Sequence, residues 1–398
     1  MVTDLELVAD GRTLRFPAVW LRDNCPCRQC RDPGTGQKLI DATGIPNGLA
    51  ITLIEDAGQS VRVTFGPGEH RSVFSRAWLA AHALDGDGAV DGDSTADGDG
   101  RTEDDKELWL PADLDLPAMS WPRYLAGGKP QALRAVLRLG FVLLRDVPAE
   151  PGRVLDVAAS FGYVRETNYG RLFDVRVEPA PGNLAYTSQA IRPHTDNPYR
   201  DPAPTVQLLH CLRAAGEGGD TGLVDGFAAA AAFRAADRES FATLANTSVS
   251  FGYVDKETEL RACLPLIQLS PRGRVRRVRF NNRSMRPLQR PYAEVTAFYA
   301  AYRRWAELLT RPERRLDLRL RPGDCLVLDN TRILHARTAF SVSAGEPRRH
   351  LQGCYADLDG LASTLAVLSR SENHGRSENH GRSENHGRSG NHGREESR

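Results

Sequence analysis

The chain has 398 residues, 40% of them hydrophobic and 26% charged, enough for two or three domains of roughly 100–200 residues each. That composition excludes a mainly disordered chain, a collagen and a small disulfide scaffold. With 52 basic and 51 acidic side chains the net charge is +1, so no bulk basic field points to nucleic acid, and no apolar run nears the ~18–20 residues that span a bilayer.

Residues 1–84 read as a small, mostly β module. LELVAD, TLRFPAVWL and SVRVTF alternate polar and apolar side chains, and SRAWLAAHA (75–83) predicts a short helix. The N-terminus lacks the continuous apolar core of a signal peptide. Residues 85–107 repeat Asp and Gly and offer almost nothing to a core, which predicts a solvated linker. Positions 93–104 faintly resemble a calcium loop, but the terminal Glu and an entering apolar helix are missing.

Globular character returns over 108–368. PQALRAVLRLG predicts a helix ending at Gly140, FVLLRDV a buried strand, and 153–161 a second helix. NLAYTSQA, TVQLLHCL, TGLVDGF, VSFGYV, LIQLS, RVRRVRF and DCLVLDN predict short strands. Two helices interrupt them, FAAAAAFRAADRESFATLA and EVTAFYAAYRRWAELLT. Many short strands without a helix between each pair argue for a sandwich, barrel or jelly roll over a doubly wound parallel sheet. Over 369–398, SENHGR occurs three times and SGNHGR once. Nothing there can pack, so a disordered tail is expected, and His374, His380, His386 and His392 have no fixed geometry for a metal.

Three constellations carry chemistry. Cys25, Cys27 and Cys30 fall within six residues, too close for good disulfides but well spaced for one ion. A closed structural zinc site needs a fourth ligand, for which His70 is the first choice and His82 the second. Such thiolates imply a reducing, cytoplasmic setting. The second constellation is His194-Thr195-Asp196. Alternate residues of an extended segment face one side, so His194 and Asp196 can share a metal with the distant His335. Two histidines and one carboxylate leave three positions open, as in non-haem Fe(II) oxygenases: two for a chelating co-substrate and one for dioxygen. His210 and His350 read as packing or hydrogen-bonding residues. The third is Arg349, fourteen residues beyond His335, whose guanidinium suits a carboxylate; Arg348 should face the opposite side.

With these residues in hand, the chain from about residue 5 to residue 368 resembles the γ-butyrobetaine dioxygenase branch of the Fe(II)/2-oxoglutarate oxygenases, within the taurine-dioxygenase-like superfamily. The likeness rests on WLRDNCPCRQC, LAYTSQAIRPHTDNPY, VQLLHC, GGDTGLVDGF, VRFNN, PGDCLVLDNTRILHAR and RRHLQGCYADLD. It implies a distorted double-stranded β-helix, or jelly roll, with flanking helices, preceded by a β-rich zinc module. It implies iron on His194, Asp196 and His335, structural Zn(II) on Cys25, Cys27, Cys30 and His70, and 2-oxoglutarate held by Arg349 and Thr221. A trimethylammonium cage matches Tyr169, Phe173, Tyr186 and Tyr355, where the animal enzymes have Trp at the position of Phe173. Asn183 and one of Asn281 or Asn282 match groups that bind the substrate carboxylate.

The implied reaction spends dioxygen and 2-oxoglutarate, releases succinate and carbon dioxide, and hydroxylates a C–H bond, foremost C3 of γ-butyrobetaine to give L-carnitine. Trimethyllysine, trimethylaminoethylphosphonate or another small acid are rival substrates. A catalytically idle zinc-stabilised interaction protein would have no need of His194, Asp196, His335 and Arg349 together. A zinc hydrolase would need a metal-bound water beside a general base, and no HExxH is present. Relatives in the branch are often homodimers, and by that analogy alone a homodimer is expected. No nucleic acid or membrane partner is expected.

Overall fold

The structure is a computed structural model that describes residues 2–9, 11–40, 42–82, 106–177, 186–341 and 349–385. It divides into two units, Met1–Ser94 and Thr95–Arg398, with the break inside the acidic stretch. The calcium-like segment 93–104 lies outside the described residues.

In the first unit, β1 (Asp4–Ala9) and β2 (Arg12–Pro17) pair through Gly11, whose φ of 74° is a conformation glycine adopts without a Cβ clash. A short helix, α1 (Ala18–Asp23), leads to the cysteine turn. Strands β3 (Ala50–Asp56), β4 (Ser60–Gly66) and β5 (His70–Ser75) form an antiparallel meander. The alternation seen in SVRVTF sends Val61, Val63 and Phe65 inward and Arg62 to solvent. They pack with Leu5, Phe16 and Leu21. The expected helix is α2 (Arg76–Ala81), capped by the Ser75 hydroxyl, which accepts from the Trp78 amide.

The second unit opens with β6 (Ala118–Ser120), the one-turn α3 (Trp121–Arg123) and α4 (Lys129–Leu139), which stops at Gly140 with φ 89° as predicted. Then come β7 (Phe141–Arg145), α5 (Arg153–Ala159), β8 (Phe173–Arg176), β9 (Ile191–His194), β10 (Val206–Arg213) and β11 (Thr221–Asp225). An insertion follows: α6 (Gly226–Ala236), α7 (Arg238–Asn246), the hairpins β12 (Ser248–Val254) with β13 (Glu259–Pro265) and β14 (Ile267–Leu269) with β15 (Val275–Val278), and α8 (Tyr292–Leu309). The described residues end with β16 (Leu316–Leu318), β17 (Cys325–Asp329), β18 (Ile333–Arg337), β19 (His350–Ala356) and α9 (Leu358–Asn385).

The larger sheet has the order β6-β7-β17-β10-β19-β8 and the smaller β16-β11-β18-β9. Apart from β6–β7, every pairing is antiparallel. Strands β8 to β11 cross between the sheets at each step, and β16 to β19 return the same way, which makes a double-stranded β-helix. Leu209, Leu223, Leu326, Leu328, Ile333 and Leu351 from both sheets share one core between them.

Three expectations need correction, and four strands had no prediction. The helix predicted from FAAAAAFRAADRESFATLA breaks at Asp237, whose φ of −150° leaves the helical region and whose carboxylate caps α7 by accepting from the Ser240 amide. Apolar periodicity continues across the break, so it gave no warning. Strands β8, β9, β13 and β16 carry charged or proline residues in short runs and exist through pairing, not propensity. The described part of NLAYTSQA, 186–190, is a bend and not a strand. Finally, α9 extends through residues 369–385, where disorder was expected. Leu358, Leu361 and Leu365 anchor the helix on the core, and Arg134 donates to Ser369 on its flank, so the polar repeats continue a helix already nucleated.

Candidate active site

His194 ends β9 and His335 lies within β18, and register makes the two directly opposite residues. Their rings sit 4.2 Å apart between centroids. Asp196 follows in the turn, with Oδ1 3.4 Å from His194 Nε2 and Oδ2 3.9 Å from His335 Nε2. One donor atom from each of the three lies within 4.8 Å of the others, so they can converge on one ion. His194 Nδ1 donates to the Arg192 carbonyl at 2.9 Å, which fixes the ring with Nε2 toward Asp196. Burial and the neighbouring His194 push the pKa of His335 down to about 3, which keeps its imidazole neutral. Burial alone would raise the pKa of Asp196, but His194, His335 and the Tyr355 hydroxyl outweigh it and hold the carboxylate ionised. Two imidazole nitrogens and one carboxylate oxygen on a common point are the donor types a ferrous ion takes, so the donor set fits the metal.

The three residues face a cavity of about 410 Å³. Arg349, 6% exposed just before β19, lines it and lies over the Phe340 ring at 5.8 Å. Burial lowers its pKa to about 10, so it stays charged at neutral pH. Thr221 on β11 lines the same wall opposite Arg337 in register. Tyr169, Phe173, Tyr186 and Tyr355 all reach the cavity. The Phe173 ring lies 5.1 Å from Tyr355 and 6.1 Å from Tyr169. Asn281 is buried in the wall and donates to the Thr195 carbonyl, whereas Asn282 is exposed and accepts from the Tyr302 hydroxyl. Of the two asparagines, Asn281 lines the cavity and Asn282 does not. Asn183 lies outside the described residues.

Other cavity residues carried no signal in the sequence. Tyr199 and Tyr253 extend the aromatic wall, with rings 5.1 Å apart, and Tyr169 and Tyr199 join hydroxyls at 2.9 Å. Arg283, directly after the VRFNN segment, lines the cavity. Although the residue is exposed overall, partial loss of water around its guanidinium lowers its pKa while Asp196 draws it the other way. Gln207 on β10 reaches Asp196. His210 is fully buried in the sheet, and His350 pairs with Asp174 at 2.6 Å.

A second cluster sits in the first unit. His70 Nε2 lies 3.3, 3.7 and 3.5 Å from the sulfurs of Cys25, Cys27 and Cys30. A tetrahedral zinc ion at ordinary bond lengths asks for sulfur–nitrogen distances of about 3.6 Å. The four donors fit that ion. Around them Arg22 donates to Cys30 Sγ at 3.1 Å and Ser72 to Cys25 Sγ at 2.8 Å. His82, the second choice, bonds the Trp78 carbonyl and stacks on the Trp78 ring instead.

Residues 110–355 match the family model described as "Taurine catabolism dioxygenase TauD, TfdA family", and residues 5–80 match "Gamma-butyrobetaine hydroxylase-like, N-terminal". The gamma-butyrobetaine dioxygenase of Pseudomonas sp. (strain AK-1) is 34% identical over 91% of this chain and 92% of its own. The gamma-butyrobetaine dioxygenase of Homo sapiens is 31% identical over 90% and 92%. The trimethyllysine dioxygenase of Meyerozyma guilliermondii is 29% identical over the same shares. A family model covering most of the chain and a relative above 30% identity along nearly its whole length agree with the jelly roll and its three converging donors. The chain belongs to the TauD, TfdA family of dioxygenases and is an Fe(II)/2-oxoglutarate-dependent enzyme.

Proposed function

We propose that the enzyme hydroxylates a small trimethylammonium acid, first of all γ-butyrobetaine, to give L-carnitine. One observation carries this reading: His194, Asp196, His335 and Arg349 share a single cavity with Tyr169, Phe173, Tyr186 and Tyr355. His194, Asp196 and His335 would hold Fe(II), which supplies oxidative decarboxylation of 2-oxoglutarate and delivery of one dioxygen atom to a C–H bond. Arg349 and Thr221 would bind the far carboxylate of 2-oxoglutarate, the guanidinium through two parallel hydrogen bonds. A quaternary ammonium cannot donate a hydrogen bond, so ring faces suit it, at roughly 0.5–2 kcal/mol each. Arg283, Arg337 and Arg349 outnumber the single Asp196 carboxylate in the cavity wall, a surplus that suits two acids at once. Asn281 would orient the substrate's acid end. The relatives' names, gamma-butyrobetaine dioxygenase and trimethyllysine dioxygenase, support the same substrate class.

Cys25, Cys27, Cys30 and His70 would hold a structural zinc in a reducing cytoplasm, and residues 85–107 would link the two units. No helix among the described residues is long and apolar enough to cross a membrane.

A second reading, trimethylaminoethylphosphonate, is favoured by Arg283, since a phosphonate gains more than a carboxylate from a further guanidinium in the cavity wall. The test is anaerobic loading with Fe(II), then succinate release across trimethylammonium substrates. Turnover with γ-butyrobetaine, lost in His194→Ala, is expected. Dominant turnover of the phosphonate would select the second reading, and no 2-oxoglutarate consumption with any candidate would overturn both.

A further inference from the structure

Gln207 and Tyr355 are cross-strand partners, directly opposite each other on β10 and β19. Alternation along the strands turns both side chains to the same face, into the cavity. Both end on one atom. Gln207 Nε2 donates to Asp196 Oδ2 at 2.7 Å, and the Tyr355 hydroxyl donates to the same oxygen at 2.9 Å. The two residues are 1% and 3% exposed, so water does not compete for these bonds. A carboxylate oxygen has two lone pairs in its plane, and here both are occupied.

The main chain of Asp196 is held from another side. Asn330, 3% exposed in the turn between β17 and β18, accepts from the Asp196 amide at 2.8 Å. Its Nδ2 donates to the Asp196 carbonyl at 3.0 Å and to the Pro204 carbonyl at 2.9 Å. Asp196 is thus fixed at its backbone by one side chain and at one oxygen by two. Only Oδ1 is left, beside His194 Nε2.

We infer that Gln207 and Tyr355 are positioning residues that restrict Asp196 to one ligating oxygen, and that Asn330 sets the backbone from which that oxygen is presented. The inference rests on the reading that His194, Asp196 and His335 hold the metal. A carboxylate free to use both oxygens would occupy a position that the co-substrate and dioxygen need. Tyr355 serves two surfaces: its ring joins the aromatic wall at Phe173 and its hydroxyl constrains the metal-facing carboxylate.

The test loads full-length, zinc-replete protein with Mn(II), a redox-quiet stand-in for the ferrous ion. Bound exchangeable waters are counted by pulsed electron paramagnetic resonance in ¹⁷O-labelled water. The natural protein should hold about three, the number of positions a facial triad leaves open. The Tyr355→Phe/Gln207→Leu double variant should hold about two, and Tyr355→Phe alone, which keeps the ring, should show a mixture. Tyr355→Phe serves as the decisive variant if the double variant does not fold. An unchanged water count in a variant that binds Mn(II) would overturn the inference while leaving the metal reading intact. Failure of the natural protein to bind Mn(II) more tightly than His194→Ala would instead overturn the metal reading.

Discussion

Arg332 and Asp225 form a two-pronged ion pair, with bonds of 3.0 and 2.7 Å and each side chain about 1% exposed. Asp225 also caps α6 by accepting from the Phe227 amide and accepts from the Trp109 amide. Arg332 donates onward to the carbonyls of Arg138 and Glu107. The pair joins the end of β11, which carries Thr221, to the turn that opens β18, which carries His335. Removing one partner of such a pair leaves a buried charge without a counter-charge, at about 3–5 kcal/mol. Arg332→Met should lower the stability of the second unit by that amount in urea unfolding. A loss under about 1 kcal/mol would contradict it.

Zinc content should depend on the cysteine turn. A serine hydroxyl does not ionise near neutral pH, so Cys27→Ser removes one of four donors. Elemental analysis should find the bound zinc lost and unfolding of the first unit shifted to lower denaturant. Turnover per folded molecule that requires His194 should persist. Unchanged zinc in Cys27→Ser would count against the assignment.

Arg349→Lys keeps the charge but loses the planar pair of donors. Charged hydrogen bonds of this kind contribute about 1.5–3 kcal/mol. The KM for 2-oxoglutarate should therefore rise roughly tenfold or more, with a smaller change in kcat, and steady-state kinetics would read both. An unchanged KM would remove Arg349 from the co-substrate site.

Acid stability should depend on His210. Burial lowers its pKa from the ordinary 6.5, so the folded protein resists a proton that the unfolded chain accepts. The unfolded state then binds more protons below about pH 6.5, and stability falls as pH drops through that value. This one group contributes at most about 1.4 kcal/mol per pH unit. His210→Gln should flatten the slope of unfolding free energy between pH 6.5 and 5, and an identical slope would dismiss the claim.

Much of the chemistry was legible without coordinates where its parts are neighbours along the chain. Cys25, Cys27 and Cys30 lie within one turn, and His194 and Asp196 within three residues, so local geometry had little freedom to separate them. Gly140 ended its helix where expected because glycine's left-handed φ is a local property. The break at Asp237 escaped notice because a capping carboxylate competes with an apolar period that does not change across it. Strands β8 and β9 escaped notice because RPH and FDVR hold no strand pattern of their own.

What the sequence alone determined was the inventory of donors, their local spacing and the alternation that builds two β-rich units. Tertiary structure decided which distant residues meet: His335 opposite His194, Gln207 opposite Tyr355, Asn281 inward with Asn282 outward, and Arg283 in the cavity wall. The reason is register. A shift of one residue between paired strands turns every side chain to the opposite face, and register is set by the packing of both sheets together, not by any one strand's composition.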